Sequence, residues 1–130
     1  MFDSEVRIQQ TSWNLSAIAV WLTCVVLGSV LPGWKHFIHT RGRFHLPLHF
    51  AVFAFSSLVT LGVAPSRGRR VLSCGALIGL AFVTEALQRA IYRINFEWRD
   101  FVTDTFGVLA ALVFVVILQS RREPDFDRMA

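Results

Sequence analysis

The chain has 130 residues, of which 54% are hydrophobic and only 17% charged, with a mean hydropathy of +0.51. This is too apolar for an ordinary soluble domain, and the length sets a single domain as the expectation. The net charge of +4 comes from basic residues outside the apolar runs. It reads as membrane orientation and headgroup contact; there is no soluble basic face with aromatics to suggest nucleic-acid binding.

A helix rising about 1.5 Å per residue needs about 20 residues to cross the hydrocarbon of a bilayer. The first run of that length covers residues 13–31 and stops at Pro32 and Gly33. Two acids, Asp3 and Glu5, precede it, unlike the basic start of a secretory signal, so the run is expected to be a retained span. A polar loop bearing His36 and His39 follows, then a second run over 46–63. A short turn with Pro65, Gly68 and three arginines leads to a third run over 71–92, and a charged link leads to a fourth over 101–118. Period-2 alternation is absent and the chain is too short for a barrel, so helices are the expected spanning elements. The polar tail, residues 119–130, is expected to fray. Cys24 and Cys74 lie inside apolar runs without a CxxC partner and read as packing residues. Trp13, Trp34 and Trp98 read as interface anchors.

Four spans place both termini on one side with the turn at 64–70. That side carries Arg7, Arg67, Arg69, Arg70, Arg121, Arg122 and Arg128; the other carries Lys35, Arg41, Arg43, Arg93 and Arg99. The dense groups beside span ends favour a cytoplasmic N- and C-terminus. The fold expected is an all-α membrane protein with four transmembrane helices at 13–31, 46–63, 71–92 and 101–118.

Polar residues inside these spans gather toward one face of the membrane. Glu85 lies about 10 Å and Gln88 about 6 Å from the end of the third span, and Asp104 lies about 5 Å into the fourth. His49 is at a similar depth in the second, and Arg93 and Asp100 sit just above them. An ionisable group in hydrocarbon costs from about 3 to more than 10 kcal/mol, so each needs a partner or a use. Plainer readings exist for each. Glu85 can pair with Arg89 four residues on, Asp100 can cap the fourth helix, Asp104 can sit in its dipole, and His49 can pack at the interface. Gly107 would let a neighbouring helix approach beneath Asp104.

The string Glu85-x-x-Gln88, Arg93, Phe96-Glu97, then Asp100-x-x-x-Asp104-x-x-Gly107, preceded by His49-Phe50, resembles the VanZ-like family of small bacterial membrane proteins. The resemblance covers residues 46–118, within a single domain of 1–130. The chain departs from it with His45-Leu46 where Asp-Lys is often found, with Asp104 where Asn is common, and with about one extra residue between Arg93 and Asp100. It implies a multi-pass protein of the bacterial cytoplasmic membrane with a cell-envelope role. The family is named for glycopeptide resistance, and it supplies no reaction.

Three function classes follow. One is a non-catalytic protein binding an amphiphile (lipid headgroup, lipid-linked cell-wall intermediate or glycopeptide) through His49, Glu85, Gln88, Arg93, Asp100 and Asp104, with arginine meeting phosphate or carboxylate. Another is a membrane hydrolase or transferase using His49 with Glu85 or Asp104; no nucleophile elbow, HExxH or phosphate loop accompanies them. The third is an ion or proton relay, for which the nearly apolar other halves of the spans offer few steps. His36 with His39, and His45 with His49, have ligand-like spacings, but third and fourth ligands are unassigned, so no metal or cofactor is assigned. Membrane lipids are the expected partners, with a homo-oligomer or membrane partner as a further option.

Overall fold

The computed structural model describes residues 2–31, 44–64 and 66–121, with side chains from residue 15 onward. Among them are four helices: α1 (Phe2–Val30), α2 (His45–Gly62), α3 (Arg67–Tyr92) and α4 (Trp98–Ser120). The loop with Trp34, His36 and His39, the tail beyond residue 121 and the side chain of Trp13 lie outside the described residues. The helices α2, α3 and α4 are long and apolar enough to cross a membrane, whereas the apolar stretch of α1, Leu15–Val30, is shorter than that.

Helix ends follow local chemistry. No proline or glycine interrupts residues 2–27, so α1 extends well ahead of the apolar run. Ser66 starts α3, its hydroxyl accepting the Arg69 N–H at 3.4 Å. Arg67, Arg69 and Arg70 therefore belong to the first helical turn and not to a loop. At the other end Arg93 adopts φ 53°, ψ 35°. This left-handed conformation stops α3 as a glycine usually would. The turn over 93–97 is held by an aromatic group: Phe96 lies 4.6 Å from Trp98 and 5.4 Å from Phe82 between ring centroids.

Short links reverse the chain twice, so α2 and α4 run parallel with α3 opposed to both. The backbones of α4 and α2 approach closely at Gly107. A Cβ there would lie 2.7 Å from the Phe50 carbonyl oxygen and 3.0 Å from the Ala54 nitrogen of α2. No side chain larger than hydrogen fits without pushing the two helices apart. Below this contact Phe53, Leu61, Leu77, Ala81, Val108 and Val115 form the apolar core.

The surface is inverted relative to a soluble bundle. Phe106 is 62% and Leu72 is 74% exposed, while Asp104 is 1% exposed. Such an arrangement is stable where the surroundings are as apolar as the side chains they meet.

Helix α1 is tied on by polar contacts. Trp21 Nε1 donates to Ser56 Oγ at 2.8 Å. Gln88 Nε2 donates to the Ser29 carbonyl at 3.2 Å and the Tyr92 hydroxyl to the Val30 carbonyl at 2.5 Å. Ser29 and Val30 are among the last residues of α1, whose carbonyls have no partner within the helix. Residues of α3 thus complete the end of α1.

Two outcomes check this packing in detergent micelles. Gly107→Val should lower stability by about 1–3 kcal/mol through overpacking, read by thermal unfolding, whereas Gly79→Ala, with open space around it, should not. Tyr92→Phe should cost about 0.5–1.5 kcal/mol and speed backbone hydrogen exchange at the end of α1 while leaving α2 and α4 protected.

Candidate functional site

The parallel run of α2 and α4 sets two histidines against two aspartates. His45 and His49 are four apart and face one way; Asp100 and Asp104 do the same. His45 Nε2 lies 2.8 Å from Asp100 Oδ2, and His49 Nδ1 lies 3.0 Å from Asp104 Oδ1. Both pairs are separated by 55 residues, so one register makes both contacts. The imidazole rings stand edge to face with centroids 4.7 Å apart, and His49 Nε2 lies 3.7 Å from Asp100 Oδ2.

Glu85 enters from α3. It is buried, and one ligand atom each from His49, Glu85 and Asp104 lies within 4.8 Å of the others. Glu97 stands at the mouth, with its Oε2 3.8 Å from His45 Nε2 and its side chain 47% exposed. The centre therefore grades from a sealed floor at Asp104 to an open rim at Glu97.

Its charge is unusual. Glu85, Asp100 and Asp104 are all buried, and among the described residues no lysine or arginine pairs with any of them. Among the described residues the neighbouring bases are the two histidines, and Asp104 Oδ2 is buried without a hydrogen-bond partner. An ionised carboxylate only accepts hydrogen bonds, so His49 Nδ1 donates to Asp104. His49 Nε2 is turned toward Asp100 Oδ2, 3.7 Å away. At the rim, the Asp100 carboxyl sharing a hydrogen bond with Glu97 pushes the Glu97 carboxyl above its ordinary value of 4.5, with burial adding to the rise.

Of the residues singled out in the sequence, His49, Glu85, Asp100 and Asp104 meet here. Gln88 does not: it is turned to α1. Arg93 does not either, lying exposed at the left-handed turn. The pairing of Glu85 with Arg89 is not formed, because Glu85 points into the bundle while Arg89 is exposed. Asp100 is not the cap of α4; Glu97 occupies that position and Asp100 lies within the first turn, bonded to His45. His45 and Glu97 are additions. His45 was visible as half of the spacing His45-x-x-x-His49, and its match to Asp100-x-x-x-Asp104 is the signal that would have completed the set. Glu97 stood in the family-like string beside Phe96 without a role assigned to it.

No family model, curated protein or solved structure matches the chain.

Two measurements check the site. A double-mutant cycle with His49→Ala and Asp104→Ala should give a coupling of about 0.5–3 kcal/mol, and the pair Gln88→Ala with Asp104→Ala should be additive. Glu97 binds its proton more tightly in the folded protein, so its contribution to stability is present below 4.5 and lost as the pH rises through the elevated value. Glu97→Gln should therefore unfold with a flatter pH dependence than wild type above 4.5.

Proposed function

We propose that this is an integral membrane protein of the VanZ-like kind, acting in the cell envelope by binding the polar head of an amphiphile. The observation that carries this reading is the convergence of half-buried His49 with buried Glu85, Asp100 and Asp104 from three helices at one end of an apolar-surfaced bundle. Cationic or hydroxyl groups of a head would meet the carboxylates, and tails would lie along the exposed apolar helix faces. The arginines Arg93 and Arg99 are exposed next to this end, where they can meet a phosphate or carboxylate. In this reading α1 is the fourth span, both termini face the cytoplasm, and the centre lies in the outer half of the bilayer. The arginine groups 67–70 and 121–122 support that orientation.

A second reading, a hydrolase or transferase acting on a lipid-borne substrate, draws on the His49–Asp104 contact. A carboxylate that fixes an imidazole tautomer is the arrangement a general base requires.

The test is lipid analysis of protein purified in mild detergent. Wild type should retain a distinct lipid class that Glu85→Ala and Asp104→Ala lose, with Gln88→Ala unchanged. Identical lipid profiles in all four would contradict amphiphile binding at this centre. Retention of the lipid by Glu85→Gln together with loss of its turnover would favour the enzymatic reading.

A further inference from the structure

We propose that His45, His49 and Asp100 hold a divalent transition-metal ion, with Asp104 orienting His49 from behind and Glu97 standing as the fourth, exposed ligand. The proposal goes beyond head-group binding, which is compatible with either the presence or the absence of a metal.

The donor set is complete and mixed. His45 Nε2, His49 Nε2 and Asp100 Oδ2 converge, with one ligand atom from each residue within 4.8 Å of the others. Ligands bonded at about 2.1 Å in tetrahedral geometry stand about 3.4 Å apart. The two nitrogens lie 2.8 and 3.7 Å from the shared Asp100 oxygen, bracketing that separation. Small side-chain rotations suffice to admit the ion. Glu97 Oε2, 3.8 Å from His45 Nε2, is close enough to close the fourth position and exposed enough to yield it.

The surroundings match what a metal-bound histidine needs. Such a histidine donates its other ring nitrogen to a carboxylate or carbonyl, which fixes the tautomer and raises basicity. His49 is placed for this, with Nδ1 3.0 Å from Asp104 Oδ1. The two histidines are one helical turn apart, so a single helix presents both to one ion.

Charge supplies an independent argument. Three buried carboxylates share one apolar end of the bundle without an arginine or lysine partner among the described residues, and Asp104 Oδ2 is buried with no hydrogen-bond partner. A dication near Asp100 offsets this charge where water cannot. The imidazole and carboxylate donors suit zinc, and they also suit ferrous iron in a two-histidine, one-carboxylate site.

The experiment uses full-length protein in detergent, with any affinity tag removed and metal stripped by chelator. Zn2+ is added by equilibrium dialysis, and bound metal is counted by elemental analysis and calorimetry. About one Zn2+ per chain should bind to wild type. His45→Gln and His49→Gln should each lose it, Asp104→Asn should weaken it about 10–100-fold, and a variant with both His36→Ala and His39→Ala should keep it. Circular dichroism monitors helicity of each variant. Failure of folded wild type to bind Zn2+ stoichiometrically, or binding undiminished in folded His45→Gln and His49→Gln, overturns the proposal. So does loss of binding with the His36/His39 variant alone. Lipid retention is read separately: wild type that keeps lipid but binds no Zn2+ overturns only the metal proposal, and wild type that binds Zn2+ but keeps no lipid overturns only the head-group reading.

Discussion

The structure depends on one repeated contact: a histidine of α2 against an aspartate of α4, made twice with the same separation of 55 residues. Each contact takes a group that is costly in hydrocarbon and gives it a partner that is equally misplaced alone. Because the pairs are one turn apart on both helices, sliding either helix by a turn would leave a buried carboxylate and an imidazole unmatched. Apolar packing between membrane helices is only weakly selective, since lipid competes with every apolar contact. The polar pairs therefore set the register, and the close backbone approach at Gly107 follows from it.

Glu85 extends this constraint to the third helix. Its carboxylate lies within 4.8 Å of ligand atoms of His49 and Asp104. The centre is thus assembled from residues that are distant in sequence but share one depth. Helix α1 is attached differently. Its links are hydrogen bonds from Trp21 to α2 and from Gln88 and Tyr92 of α3 to its terminal carbonyls, so its position does not depend on the charged centre.

Much of this was legible in the sequence because long apolar runs follow simple rules. The hydropathy runs located all four helices, and the depth of Glu85, Asp104 and His49 along them brought those residues to one level. Helical phase also marked Gly107 as a point of close approach. Three things were not legible. Gln88 shares a face with Glu85 by periodicity, but the side of α3 it occupies is taken by α1, which only tertiary packing reveals. Arg93 was singled out by its motif, but nothing in the sequence showed that its left-handed backbone is the stop of α3. His45 was set aside because spacing within one helix cannot name ligands on another; the matching spacing of Asp100 and Asp104 needed the parallel pairing of α2 and α4 to acquire meaning.

The most direct test of this account is the protonation pattern of His49, observed by 15N NMR of histidine-labelled protein in micelles. The account predicts a slowly exchanging proton on Nδ1, hydrogen-bonded across helices, whose signal shifts or vanishes in Asp104→Asn while the helices remain folded. A His49 ring whose Nδ1 carries no proton, or whose resonances are indifferent to the residue at position 104, would contradict it.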